Sequence, residues 1–412
     1  MASAADITVP PTAGLPPRAG DLWAWRDADL GAALARFLGT DAAEIACSGT
    51  AAFVAALTAL RRLAPGRDTV VVPAYTCPLV ALAVAHCGLQ LRCCDLRPSS
   101  LDLDPQALAA LCGDRTLAIV PTHLGGRVVD LAPALAIARA CGAFVIEDAA
   151  QALGARAADG RSVGLAGDIG FFSLAVGKGL TLFEGGVLVA RDAKLQAACR
   201  SALADVTHGG TFSRCLMDAR RSVELLGYHA LYRPSALSWA YRRPLRSALA
   251  HGDWTAAAGD DFDPAIPLHR VGRWRRAVGV QALRRLPAFL AEAQARAHRR
   301  TAQLAGLPGL RTVLHDSPAG ARGTWPVLLV LLDGAARRDG LLRDHWGDGN
   351  GLSVPFVRAL PDYARYRACV PPAASEELPH ARDLAARLLA ISNSPWLDDE
   401  RFARLCALLR HG

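Results

Sequence analysis

CGAFVIEDAAQALGARAADGRSVGLAGDIGFFSLAVGKGLTLFEGGVLVA, residues 141–190, holds three short apolar runs: Phe144–Asp148, Ile169–Leu174 and Gly186–Ala190. Each is strand-length, rich in β-branched or aromatic residues, and bounded by glycine or polar turns, the pattern of buried strands. The first run ends on an acid, Asp148. Between the second and third lies Lys178, flanked by Gly177 and Gly179, with no other lysine or arginine in residues 169–190.

Outward from this stretch, β runs alternate with alanine- and leucine-rich segments. Thr69–Pro73, Leu89–Asp95 and Thr116–Pro121 read as further strands, with helices over Thr50–Leu63, Pro78–Cys87, Asp104–Cys112 and Leu131–Ala140. Such alternation implies an α/β fold whose mainly parallel sheet is covered by helices, with ligands at the carboxyl ends of the strands. Before it, the first 22 residues are proline-rich and read as an extended arm, and Trp23–Leu38 has helical spacing. After it, about 205–263 reads as a helical insertion rich in large aromatics. Arg273–Leu304 reads as one long helix, followed by a smaller C-terminal α/β unit with a strand at Thr324–Leu332 and a last helix, capped by Asp398, ending near Leu409. The 412 residues therefore divide into a large domain, 1–265, and a linking helix with a small domain, 266–412.

Composition removes several classes of function. The formal charge of +8 is spread along the chain, with local clusters such as Arg273, Arg275 and Arg276, and reads as a solvated surface favouring anionic small molecules. Neither an RNA-binding motif nor zinc-finger spacing accompanies it, so no nucleic-acid partner is expected. The 11 cysteines form no C-x-x-C pair, which predicts buried thiols in a reducing cytosol and no metal site. The N-terminus lacks the basic start and apolar core of a secretion signal, and no apolar run reaches membrane-spanning length, so a cytoplasmic protein is expected. The Phe212–Ala250 block reads as a packed lid or dimer contact; the alternative is a surface helix touching a membrane, given its interleaved Tyr, Trp and Arg.

Lys178 and Asp148 are the groups that pyridoxal phosphate chemistry needs most. A lysine amine condenses with the cofactor's aldehyde, and a carboxylate keeps the pyridine nitrogen protonated. The alternatives are a structural turn lysine and an acid capping the next helix. Glu147, one residue before Asp148, belongs to the opposite strand face and reads as structural. Ser48-Gly49-Thr50 stands where a strand turns into a helix, which suits a phosphate or is simply a helix cap; Ser173 offers a second hydroxyl. A dinucleotide fingerprint and a P-loop are both absent: Phe172 and Gly179 stand where the latter needs its glycine and its Ser or Thr.

CSGTAAFVAALTAL, VVPAYTCPLVALAVAHCG, VPTHLGG, VIEDAAQALGA, VGLAGDIGFFSL, GKGLTLFEGG and SNSPWLDDERFARLCALL, in this order, resemble the DegT/DnrJ/EryC1/StrS sugar aminotransferases of fold type I. The resemblance implies pyridoxal 5′-phosphate as cofactor and a homodimer with active sites at the subunit boundary. It also implies amino transfer from glutamate or glutamine to a keto group, usually on a nucleotide-linked sugar. By position, Lys178 corresponds to the cofactor-bound lysine, Asp148 to the pyridine-nitrogen partner, and Gln151 to a group near the ring oxygen; Gly49, Thr50 and Ser173 correspond to phosphate contacts. His123 matches a family histidine of open role. Cys77 stands where many members stack an aromatic on the ring, leaving Tyr75 to compensate. Leu268 stands where an Asn reaches the partner subunit's phosphate, leaving His269 or Arg270 as substitutes. A keto-cyclitol or other non-sugar acceptor, and a non-catalytic cofactor-binding regulator, are the alternative functions.

Overall fold

The computed structural model describes residues 7–24, 28–207, 211–313, 316–370 and 377–411. Seven strands form the first sheet: β1 (Glu44–Ala46), β2 (Thr69–Pro73), β3 (Gln90–Cys94), β4 (Thr116–Ile119), β5 (Phe144–Asp148), β6 (Ile169–Ser173) and β7 (Gly186–Ala190), in the order β1-β7-β6-β5-β4-β2-β3. The pairings from β3 through β2, β4 and β5 to β6 are parallel, whereas β7 runs antiparallel to both neighbours, β6 and β1. Val70, Val71, Val72, Val145, Ile146, Val187 and Leu188 are buried, as continuous apolar strands covered on both faces must be. The Gly49–Leu63 helix lies on this sheet through Ala51, Ala52, Ala55, Ala56 and Ala59, whose small side chains allow close approach.

A second sheet is antiparallel, in the order β10-β11-β9-β8: β8 (Leu310–Thr312), β9 (Val327–Leu332), β10 (Leu352–Ser353) and β11 (Leu388–Ser392). Its last helix, Asp399–His411, starts as expected, with Asp398 Oδ1 accepting the Arg401 N–H at 2.8 Å. The arm that precedes the first sheet ties the two sheets together. Its Leu15 N–H donates to Gly179 O (3.1 Å), Ala13 N–H to Pro326 O (2.8 Å) and Val9 N–H to Gly349 O (2.8 Å).

Three expectations need correction. Arg273–Leu304 is two helices, Arg273–Leu283 and Leu286–Leu304, because Pro287 cannot donate within a continuous helix and instead sits in the first turn of the second. Of the span expected helical from Trp23, the helix begins only at Leu30, where Asp29 caps it by accepting the Ala32 N–H; residues 25–27 lie outside the described residues. Arg275 is not part of a solvated cluster. It is fully buried, paired to Asp218 at 2.8 Å, and donates to Glu184 O at 2.9 Å.

Within the insertion, the Thr211–Leu231 helix buries Leu225 and Tyr228, which cluster with Tyr232, Leu237, Ala277 and Val278. Leu216, Val223, Leu226 and Trp239 remain exposed. Among the described residues, no helix is long and apolar enough to cross a membrane.

Candidate active site

Residue alternation along β5 sends two neighbouring acids to different tasks. Glu147 is completely buried and accepts the N–H groups of Gly164 (2.7 Å), Ala166 (2.7 Å) and Gly167 (2.6 Å), fixing the loop before β6. Its remaining partner is His123 Nε2 at 3.1 Å. His123 Nδ1 accepts the Val129 N–H at 3.2 Å, so the ring is held as the Nε2–H tautomer. Burial alone would raise the Glu147 carboxyl, but His123 and the loop N–H groups outweigh it and hold it below the usual range. The structural role expected for Glu147 is the one it has.

Asp148 faces the other way, into a cavity of about 450 Å3 whose lining also includes Lys178, Gln151, Cys77, Ser173, Gly49, Thr50 and His123. Lys178, Asp148, Gln151, Cys77, Ser173, Gly49 and Thr50, singled out for cofactor contact in the sequence, thus converge on one cavity. Asp148 Oδ1 also accepts the Ala150 N–H at 3.0 Å, so it caps the following turn while lining the cavity. Burial pushes its carboxyl up, against the Ala150 N–H and Lys178. Burial likewise lowers Lys178, with Cys77 and Asp148 opposing.

Lys178 lies in the turn of a hairpin. β6 and β7 pair directly, Leu174 N–H donates to Gly185 O at 2.7 Å, and Lys178 N–H closes onto Ala175 O at 3.2 Å. Gly177 has φ +78°, and a Cβ there would meet Thr12 Oγ1 at 2.4 Å, so no other residue fits the turn without displacing the arm. Buried Arg275 holds the return limb through Glu184 O.

The Gly49–Leu63 helix opens beside this hairpin. Ser48 Oγ accepts the Ala51 N–H at 3.0 Å and Ser48 O the Ala52 N–H at 3.0 Å, so the N–H groups of Gly49 and Thr50 precede the first intrahelical bond. They offer positive dipole density to an anion beside Ser173 Oγ. A Cβ on Gly186 would lie 2.2 Å from Ser48 O, which fixes the hairpin exit against the helix start.

The cavity fits pyridoxal phosphate. It has an anion cradle, an amine of depressed pKa and a buried carboxylate with one cation in reach. Two buried hydroxyls in its lining, Thr76 Oγ1 and Thr122 Oγ1, have no partner among the described residues. Gln151 Oε1 accepts the Gly125 N–H at 2.7 Å, which sets the amide's orientation. Burial pushes the Cys77 thiol up to about 12, so it is neutral packing surface.

Tyr75 does not line the cavity. Its hydroxyl donates to Phe356 O at 2.8 Å, and its ring meets Phe356 edge-on, bringing that residue into the lining instead. His269 pairs with Glu184 at 3.3 Å, while Arg270 lines a separate groove with Asp41, Arg200 and Arg276. The sequence reading missed Phe356 and Asp260, both far from the motifs along the chain, and took Arg275 for a solvated charge.

Residues 26–228 match the model of the DegT/DnrJ/EryC1/StrS aminotransferase family. The match takes in all seven strands of the first sheet, from β1 to β7. Relatives include the GDP-perosamine synthase of Caulobacter vibrioides, 41% identical over 157 residues, which are 38% of this chain and 42% of the relative. The L-glutamine:2-deoxy-scyllo-inosose aminotransferase of Micromonospora echinospora is 39% identical over 158 residues, covering 38% and 37%. The chain spans about two fifths of the length of these curated relatives. Among solved structures, Helicobacter pylori PseC, an aminotransferase involved in the biosynthesis of pseudoaminic acid, superimposes with a TM-score of 0.73 at 15% identity over 98% of both chains. DesI, solved in the presence of its TDP-sugar product, gives 0.71 at 24% identity over 98% of this chain and 94% of its own. At these identities the likeness is one of fold, and it spans both sheets.

Proposed function

We propose that this chain is a pyridoxal-phosphate-dependent aminotransferase that moves an amino group from glutamate or glutamine to a keto group of a sugar, nucleotide-linked as the names of several relatives have it. The observation that carries the reading is the convergence of Lys178, Asp148 and the helix start at Gly49–Thr50 on one cavity. When bound, pyridoxal phosphate supplies an electrophilic carbon and an electron-accepting ring.

The residues' tasks follow from their surroundings. The N–H groups of Gly49 and Thr50 with Ser173 Oγ would hold the phosphate. Asp148 would pair with the protonated ring nitrogen, which would offset the burial cost of its own charge. Lys178 would anchor the cofactor through Nζ, and as a free amine would be the base that moves the α-proton of the amino donor. Its depressed pKa keeps more of it in the free amine form that both tasks need. Thr76 and Thr122 supply further hydroxyls, and Cys77 packs beside the ring. Replacing Lys178 by Ala lowers glutamate-dependent turnover by about a thousandfold or more. Borohydride reduction followed by peptide mapping then finds no cofactor on the chain; a labelled K178A protein rejects the assignment.

A keto-cyclitol is the second reading of the acceptor, favoured by the relative named as an inosose aminotransferase. The homodimer belongs to the same proposal. Among the described residues, the lining carries the carboxylates of Asp148, Glu184 and Asp260, and Lys178 is its one Lys or Arg side chain. A dicarboxylate donor calls for more cations than that, which a second copy would bring. Sedimentation equilibrium is expected to give twice the chain mass; a monomer at micromolar concentration removes this part. We place the protein in the cytosol, consistent with ten described cysteines that are all free thiols.

A further inference from the structure

Asp260 stands apart from the cofactor machinery, yet it lines the same cavity. It is 2% exposed. Its Oδ2 accepts the Val357 N–H at 3.0 Å and a short hydrogen bond from the Tyr363 hydroxyl. The Tyr366 hydroxyl donates to its backbone carbonyl. Gly259, in the left-handed conformation at φ +76°, ends the Trp254–Ala258 helix immediately before it. The carboxylate is therefore fixed from both sides, while its Oδ1 takes no hydrogen bond from any described residue. Around it the lining is apolar: Phe262, Ile266, Pro267, Pro355 and Phe356. No lysine or arginine of this part of the lining faces it. The oxygen left open on the cavity side can take a donor from a ligand bound there.

We propose that Asp260 is a specificity-determining residue that accepts a hydrogen bond from a hydroxyl or amino group on the ring of the acceptor substrate, whose faces lie against the apolar walls. The inference rests on the aminotransferase reading and deepens it. It assigns the acceptor's ring substituent to the insertion and the 355–366 segment, and leaves the cofactor to the strand ends and the lysine turn. A sugar and a cyclitol both present such a donor on a ring with apolar faces. Burial raises the Asp260 carboxyl to about 6, against Tyr363 and Val357, so at neutral pH it is an anion that a ligand's donor stabilises.

The test is a cycle between side chain and ligand. Wild type and Asp260→Asn, both loaded with pyridoxamine phosphate, are titrated by ligand-observed NMR with D-glucose, its monodeoxy derivatives, glucosamine and UDP-glucose. For the wild type, removal of one hydroxyl weakens binding by about tenfold, the worth of a hydrogen bond to a charged group. Asp260→Asn loses a similar factor for glucose but nothing further for that deoxy sugar. A merely structural role would instead give additive losses. A larger loss for glucosamine than for glucose identifies an ammonium as the donor, and equal losses identify a hydroxyl. Additive losses, identical affinities in the two proteins, or UDP-glucose binding with no sensitivity to any ring hydroxyl overturn the proposal. If Asp260→Asn does not fold, Asp260→Glu, which displaces the oxygen by one methylene, carries the same cycle. Failure of the parent reading shows separately, as wild type that does not react with glutamate or glutamine.

Discussion

Lys178 and Asp148 influence each other's protonation across one cavity. Burial drives the Lys178 pKa down, and the Asp148 charge partly restores it. Asp148→Asn removes that restoring charge, so the lysine's pKa falls further. In cofactor-free protein, the midpoint of Lys178 labelling by an amine-reactive reagent, followed against pH by mass spectrometry, is expected to move to lower pH than in wild type; an unmoved midpoint separates the two groups. These two residues were legible in the sequence because each is defined locally, one by a strand end and the other by a glycine-flanked turn between consecutive strands. Cys77 and Gln151 were legible only through the family's motif order, whereas Ser173 was also offered by its place in the strand before the lysine turn. Asp260 and Phe356 were not legible at all: they are placed by contacts with residues 97 to 281 positions away, and neither one acid of the Asp260-Asp261-Phe262-Asp263 run nor a single phenylalanine carries a period or spacing that marks it.

At the scale of elements, the hairpin bearing Lys178 and the strand bearing Asp148 are held by buried charges. Glu147 satisfies three loop N–H groups and the His123 ring. In Glu147→Gln the amide NH2 is turned against at least one of those donors, at a cost of about 2–4 kcal/mol at neutral pH. Since Glu147 titrates below its ordinary value of 4.5 in the folded protein, its contribution is complete above that value and is lost as pH falls through the folded pKa. Urea unfolding of wild type and variant should therefore show a gap that narrows below about pH 4.5. A constant gap would mean that shape rather than charge holds the loop. Strand order of this kind is readable from alternating patterns, and the mainly parallel sheet emerged from them. The helix break at Pro287 was readable too, from proline's missing donor, but the apolar spacing on either side hid it.

For the whole molecule, the arm over residues 7–16 bridges the two sheets. It bonds to Gly179 on one side and to Pro326 and Gly349 on the other, and a Cβ on Gly14 would lie 2.8 Å from Lys178 O. Deleting residues 1–16 is expected to lower the thermal midpoint and to speed exchange of bound pyridoxal phosphate against a competing thiol or amine, with the β6–β7 hairpin most exposed to hydrogen exchange. Unchanged exchange in that hairpin would limit the arm to a surface role. From the sequence the arm was visible only as a proline-rich extension, since its bonds are made by backbone groups that any residue carries.

The near contact of Gly186 with Ser48 joins the turn that carries the amine to the helix that carries the anion cradle. A side chain at position 186 would push the hairpin exit off the helix start, so glycine there sets how closely the limb leading back from Lys178 lies against the Gly49–Thr50 N–H groups.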